Sequence, residues 1–531
     1  VIMAFRDLLA RGALSATTFL VRHGASLPGY DTTGSGARTA GMRSAPGGHV
    51  NSLLSGSGSM LRRQSRDAVR KNAYAGQAVD KYVSNAIGTG IRPRSMHPDE
   101  KKREEIHELW RRFVDEADAA GNSNYYGQQA LGLRSMLEGA DCFGRFRARR
   151  PSDGLAVPFQ LELMESEQVP LELSMPLARG SGLIRCGIEF DGINRKSAFH
   201  VLPNHPEDFA LIGRGGGQAV RIPADRMIHL FKPLRPGQVR GVPALASVLL
   251  RLYELDQLDD ATLKKQQIAA MITGFITKTL DPNGSGGTNL GGQPDPANAA
   301  LEIMRLEPGT FPVTRPGEDV KFASPPEIGA GVDDFVKREL HAIAAGGGVT
   351  YEQLTGDLSG VNYSSIRTGL LEFRREVEQF QTCFFIFQFC RPTWREFITT
   401  AVLSGALDAP DFKHNAHHYF GVRWVPQGFK WIDPVKEVAG LIMAIRAGLI
   451  SRSEAIQMSG YDPEVIDKAL AEDAARAERH GLILDSNAKH TSKAGVTNAR
   501  PDGTEYVDEN EPNPNADPDE DDRAERRAGN G

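Results

Sequence analysis

Residues 349 to 375, VTYEQLTGDLSGVNYSSIRTGLLEFRR, decide how this chain is read. A short helical run ends at the loop Gly356-Asp357-Leu358-Ser359-Gly360-Val361-Asn362, and a long apolar-periodic helix follows. Two glycines permit a backbone path that other residues resist. Apolar helices on either side would hold such a loop at a fixed place, as a protein does when it presents a loop to something passing by.

Downstream, Ile366, Leu370, Phe373, Val377, Phe380, Phe384 and Phe387 alternate steps of four and three, the stripe of a buried helix face. That helix is expected to end near Pro392. Upstream, residues 24–60 are rich in Gly and Ser and are expected not to order on their own. A helix then begins among Arg62, Arg63, Arg66, Arg70 and Lys71, with Gly88 and Gly90 stopping it. From about 155 to 232, runs such as Leu183-IRCGIEF-Asp191 and Arg226-MIHLF-Lys232 predict an antiparallel sheet of short strands. A helix is predicted from Ala244 to about Ile276, with Leu249, Leu250, Leu252, Tyr253, Leu255 and Leu258 crowding one side. Thr310–Thr314 and Asp319–Ser324 flank Arg315-Pro316-Gly317-Glu318 as a hairpin, and helical signal returns at Asp334–Ala345. Residues 433–480 form a helical unit with capping signals at Asp433-Pro434, Asp462-Pro463 and Ser451-Arg452-Ser453-Glu454. The fold class is α+β.

At 531 residues the chain is long enough for several domains. Its net charge of −5 is segregated: residues 1–72 carry ten Lys/Arg against three Asp/Glu, and residues 500–531 carry four against eleven. Such ends read as solvated tails or as partner-binding segments. Four cysteines without a C-x-x-C pair suggest neither a disulfide framework nor a zinc knuckle, and a reduced, intracellular place of assembly fits. The densest apolar run, Cys383-FFIFQF-Cys390, is too short to cross a bilayer, and the N-terminus lacks the order of a secretory signal.

Catalytic motifs are missing from the sequence: there is no Walker loop, no G-x-S-x-G and no H-E-x-x-H. The glycines around Gly284–Gly291 lack the strand-turn-helix setting of a dinucleotide site. His414, His417 and His418, after Asp408 and Asp411, are the strongest candidate for a metal site. The run His418-YFGVRWV-Pro426 alternates like a strand, which would keep them apart, so they read as structural or surface residues. Cys383 and Cys390, seven apart on the apolar stripe, read as small core residues. No enzyme and no cofactor is expected.

Several segments resemble the lambda family of phage portal proteins, the loop region 354–375 closely. They are Asn85-AIGTGIRPR-Ser95, Gly187-IEFDGINRKSAFHVLPNHP-Glu207, Met227-IHLFKPLRPGQVRGVPALA-Ser247, Leu306-EPGTFPVTRPGEDVKFASP-Pro326, Leu354-TGDLSGVNYSSIRTGLLEFR-Arg375 and Trp431-IDPVKE-Glu437. The resemblance spans roughly 60–485. It implies a portal fold with an antiparallel β-rich and helical wing, a helical stem, a small α/β clip, a long kinked wing helix and a helical crown. In this chain these parts would be an N-terminal arm (1–60), wing (61–242 and 364–432), stem helices (243–277 and 330–348), clip (278–329), tunnel-loop region (349–363), crown (433–484) and an acidic tail (485–531).

The function implied is a homo-oligomeric ring, typically twelve-fold, at one capsid vertex of the virion, assembled in the host bacterial cytoplasm. It admits double-stranded DNA during packaging and releases it at ejection. Implied partners are the terminase large subunit, the major capsid and scaffold proteins and the head-tail connector, with no membrane. Thr314, Arg315, Pro316, Gly317, Glu318 and Asp319 would meet partners at the clip. Thr355, Gly356, Asp357, Leu358, Ser359, Gly360, Val361 and Asn362 would line the DNA channel. Every phosphate neutralised adds a salt-sensitive attraction, and this loop holds no Lys or Arg. Its single charge, Asp357, would form a circle of carboxylates in a ring, or would make a local turn through its own side chain. The alternatives are another phage ring or connector component, or a metal-dependent hydrolase built on His414 and its neighbours.

Overall fold

A computed structural model describes residues 47–177, 182–208, 218–271, 275–278, 318–321, 330–360, 363–429 and 434–482. The chain divides into two compact units, one of residues 1–86 and 109–408, the other of residues 87–108 and 409–531.

The first unit opens with α1 (Val50–Lys71) and α2 (Ala73–Ala86). Residues 50–60, expected within a disordered arm, are helical, because other parts of the chain cover their apolar face. Val50, Leu54 and Gly58 are buried, and a side chain at Gly58 would meet Leu171 Cδ1 at 2.9 Å. Asn51 ties the start of the helix to a distant segment, donating to the Gly237 carbonyl and accepting from the Val239 N–H, both at 2.9 Å. The extended backbone of Asn72 separates the two helices, and its side-chain oxygen accepts from the Ala75 N–H. Residues 1–46 lie outside the described part.

Next come α3 (Glu100–Glu116, of which 109 onward belongs to this unit) and α4 (Tyr125–Gly139), capped by Asn124. Eight short strands form two antiparallel sheets, and the region from about 155 to 232, read as short antiparallel strands, supplies seven of them. One has the order β3 (Phe159–Glu165), β2 (Cys142–Ala148), β9 (Met227–Leu230). The other is a meander of β4 (Met175–Pro176), β5 (Leu183–Arg185), β6 (Ile188–Phe190), β7 (Lys196–Val201) and β8 (Val220–Pro223). The ninth, β1 (Arg92–Ser95), belongs to the second unit. The run 183–191 is two strands rather than one. Cys186 and Gly187 both have positive φ, 51° and 79°, the signature of a two-residue hairpin turn. A Cβ at Gly187 would lie 2.7 Å from Val169 Cγ1 and 2.8 Å from the Pro170 carbonyl oxygen, so the turn also requires glycine sterically. Phe143, Ile188, Phe199, Ile222 and Met227 from these sheets share one buried core.

The helix expected from 244 to 276 is α5 (Leu249–Met271); Ile276 instead lies in β10 (Phe275–Lys278), paired antiparallel with β11 (Glu318–Lys321). Glu318, expected in a hairpin connection, is therefore a strand residue. The strand expected at 310–314 lies outside the described residues. Leu252 and Leu255 face inward on α5, whereas Leu250 and Tyr253 are exposed, so the leucines do not share one side.

After α6 (Ala330–Gly347) and α7 (Tyr351–Thr355), α8 (Tyr363–Phe380) buries Phe373, Val377 and Phe380 as its stripe predicts. Then the helix widens. Gln381–Cys390 is a π-helix, and the Arg391 N–H donates five residues back to the Ile386 carbonyl. This wider winding rotates the face: Phe385 and Phe389 are buried and stacked at 5.2 Å, Phe384 is half-buried, and Phe387 is 60% exposed. Cys390 is buried but Cys383 is exposed, against the core role expected of both. Nor does the helix end at Pro392, which sits at the seam where α9 (Arg391–Ser404) resumes, in a first-turn position that needs no N–H. Trp110, Tyr125, Phe389, Trp394 and Phe397 join α3, α4, the π segment and α9 in one aromatic cluster.

In the second unit β1 pairs antiparallel with β12 (Val422–Val425), which follows α10 (Phe412–Phe420). Three helices come after it: α11 (Pro434–Arg446), α12 (Arg452–Met458) and α13 (Pro463–His480). Ser451 and Asp462 cap as their sequence signals predict, accepting from the Glu454 and Glu464 N–H groups. Arg94 of β1 reaches Asp462 and Glu464 at the start of α13, and Gly428 and Gly460 bring two backbones together too closely for any Cβ.

Candidate functional site

Gly348, with φ of 69°, lets the chain turn out of α6, and Thr350 starts α7 with a capping box. Its hydroxyl accepts from the Gln353 N–H while Gln353 Oε1 accepts from the Thr350 N–H. Leu354 is buried, and the Tyr351 ring stacks on His341 of α6 at 4.1 Å. Gly356 then closes the helix in the left-handed conformation, donating its N–H to the Glu352 carbonyl. Past this anchor the chain is exposed, Leu358 by 62%, through Ser359 and Gly360. On the far side α8 is held by Tyr82 of α2, which meets Phe373 and Phe380 edge-on at 6.3 and 6.0 Å. A short exposed loop thus runs between two well-seated helices.

Within the loop, Asp357 does make the local turn. Its Oδ1 accepts from the Ser359 N–H at 2.9 Å and from the Ser359 hydroxyl at 2.6 Å, and its own N–H donates to Thr355 Oγ1. Those bonds, with Lys337 of α6 nearby, hold its carboxyl below the usual range. Thr355 donates its hydroxyl to the Tyr351 carbonyl. Val361 and Asn362 lie outside the described residues, as do Thr314, Arg315, Pro316 and Gly317. Glu318 and Asp319 open β11, opposite Lys278 and Thr277.

The histidines differ from expectation. His414, His417 and His418 sit on α10, helical rather than extended but kinked at Asn415, between His414 and the other two. Even so, His414 and His417 are exposed and His418 packs edge-on against His97, and these residues do not bring three donor atoms together. Among the described residues one group has donor atoms close enough for a metal, Glu165, Glu167 and His205. Arg66 already holds Glu167 through two hydrogen bonds at 2.8 and 2.9 Å and lies 3.3 Å from Glu165, which compensates the charge a cation would meet. The Gly284–Gly291 stretch is outside the described part.

Sequence reasoning missed a buried polar network between the two sheets. Arg240, 1% exposed, donates to Asp141 Oδ2, to the carbonyls of Val169, Cys186 and Ser166, and to Ser166 Oγ, all within 3.0 Å. Asp141 Oδ1 accepts from the Gly241 N–H and pairs with His229 Nε2 at 2.9 Å. Lys196 reaches His229 Nδ1 at 3.0 Å, and the imidazole lies between the Phe143 and Phe231 rings. Burial and the neighbouring Lys196 push His229 down to about 3, so it is a neutral ring that donates from Nε2 and accepts at Nδ1. Burial alone would raise Asp141, but Arg240 and His229 outweigh it and hold its carboxyl well below the usual range. Lys196 is lowered to about 8, chiefly by burial. With each member facing a partner, the network fastens strands and loops together. Its members are up to 100 residues apart in sequence, and no local spacing announces them.

Residues 35–381 match the family described as phage portal protein, lambda family. A probable portal protein of Halomonas phage phiHAP-1 is 25% identical over 469 residues, which cover 85% of this chain and 86% of that protein. Portal protein B of Escherichia phage lambda is 24% identical over 453 residues, covering 75% of this chain and 80% of the other. Among solved structures, a chain in the neck of a native gene transfer agent particle, computed with C12 symmetry, aligns with 80% of this chain and 98% of its own length, at 15% identity and a TM-score of 0.44.

Proposed function

The chain belongs to the lambda family of phage portal proteins, and from that premise we propose that it forms a ring at the capsid vertex through which double-stranded DNA is packaged and ejected. The observation that carries the reading beyond membership is the loop at 355–360, exposed between α7 and α8 and seated on buried anchors at both ends. A ring of such loops narrows a channel without needing affinity for what passes. The described loop residues offer no Lys or Arg, so they give passing phosphates no salt-sensitive hold. Asp357 orders the turn and, repeated around a ring, adds a circle of carboxylates that centres the duplex. The role is structural, without catalysis.

In this reading the segment 278–329 is the part that meets the terminase large subunit and later the head-tail connector, with Thr314–Asp319 at its centre. The stem is α5 with α6, and α11 to α13 form the crown. Ring assembly takes place in the host cytoplasm beside capsid and scaffold proteins.

Electron microscopy of the purified chain, alone and co-expressed with its capsid proteins, tests the proposal together with a mass measurement. The expected result is a ring with a central hole and a mass near twelve times 57.8 kDa. A folded chain that stays monomeric under both conditions removes it.

A further inference from the structure

Lys196 opens β7, and although the residue is exposed, its amine lies against the buried network. Three groups stand in line there: Nζ is 3.0 Å from His229 Nδ1, and His229 Nε2 is 2.9 Å from Asp141 Oδ1. Asp141 fixes the hydrogen of the neutral imidazole on Nε2, so Nδ1 can only accept. Lys196 must therefore spend an N–H on it, and a neutral amine that does so keeps its lone pair free on another side. Its second contact, the face of the Phe231 ring at 4.9 Å, is also uncharged. A lysine set directly on a carboxylate is held as an ammonium, whereas an imidazole nitrogen accepts equally from amine and ammonium. Of the charges that reach Lys196, Asp141 before β2 favours the ammonium and Arg240 after β9 opposes it, and burial tips the balance against the charge.

We propose that Lys196 is a site of covalent modification, a nucleophilic amine that takes an acyl group from a small activated donor such as an acyl phosphate. The lone pair attacks the acyl carbon, and the bond from that carbon to the phosphate oxygen breaks. One N–H proton passes through solvent to the departing phosphate, and a neutral amide remains. That amide keeps an N–H with which to donate to His229 Nδ1, so the network retains the bond after modification while losing a desolvated cation beside Arg240. The reactivity follows from the population of free amine. An ordinary lysine titrates near 10.4 and is less than about 1% free amine at pH 8. Lys196, lowered to about 8, is free in about half of the molecules at that pH. A less basic amine is also a weaker nucleophile, as holds for thiols, and this offsets part of the gain.

The test treats the full, unmutated chain with a limiting amount of acetyl phosphate and follows each lysine by peptide mass spectrometry across a range of pH. Lys101 and Lys413, both exposed, serve as internal references. At pH 8 the initial rate at Lys196 is expected to exceed theirs by about fivefold or more, the free-amine advantage less the loss of nucleophilicity. Its rate is expected to level off by about pH 9, where its amine is already free, while theirs continue to rise toward about pH 10. In denaturing urea, which takes the amine away from His229, the advantage is expected to vanish. A Lys196 rate no higher than the references, or one that climbs in step with them across the whole range, overturns the proposal. So does an advantage that persists in urea, which would belong to the neighbouring sequence and not to the fold.

Discussion

Arg240 spends every donor inside the protein, and its partner Asp141 is shared with His229 and the Gly241 amide. Removing one member of such a set leaves an uncompensated buried charge. Arg240→Met is therefore expected to lower stability by about 3–5 kcal/mol, read by chemical denaturation; a loss below 1 kcal/mol would show that the network is dispensable. The same set makes stability depend on acid. His229 titrates near 3 in the fold against 6.5 when free, so the stability it contributes is complete above pH 6.5 and is lost as pH falls toward 3. Asp141, also held low, acts in the same sense below its ordinary 3.8. The expected slope is about 1.4 kcal/mol per pH unit below 6.5, seen as a falling melting temperature that flattens in His229→Gln. None of this was legible in the sequence, because a buried ion pair is defined by what the tertiary fold brings together. Asp357 was legible: an Asp followed two residues later by Ser in a Gly-flanked loop carries its own turn chemistry.

Helix starts and the loop between α7 and α8 were readable wherever the determinant is local, as at Ser451, Asp462 and Gly356. What failed was any reading that carried a local rule through a non-local change. The 3.6-residue stripe predicts a buried Phe387, but the π winding after Phe380 turns that residue outward. Gly and Ser at 55–59 argue against helix, yet burial of Leu54 and the close approach at Gly58 overrule them. Two substitutions separate the readings of the long helix. Phe380→Ala is expected to cost about 3–5 kcal/mol, and Phe387→Ala less than about 0.5 kcal/mol; equal costs would mean that the winding is not as described. In the small hairpin, Gly187→Ala is expected to destabilise by more than the roughly 1–2 kcal/mol that a left-handed backbone costs a residue with a Cβ, because the added methyl also meets Pro170 and Val169; an unchanged melting temperature would refute it.

For the assembled molecule, the loop's small apolar footprint separates passage from assembly. Deleting Leu358–Gly360 removes exposed residues of which Ser359 is tied to Asp357 in the same loop. Rings are expected to form as before while DNA retention in filled particles falls. Loss of the rings themselves would make the loop a structural tie. One consequence of the π segment reaches past stability. A π turn winds more residues into the same rise of helix than an α turn does, so 381–390 holds slack that its flanks lack. Removing one residue from 381–390 is therefore expected to shorten the winding toward α while both flanking helices stay seated.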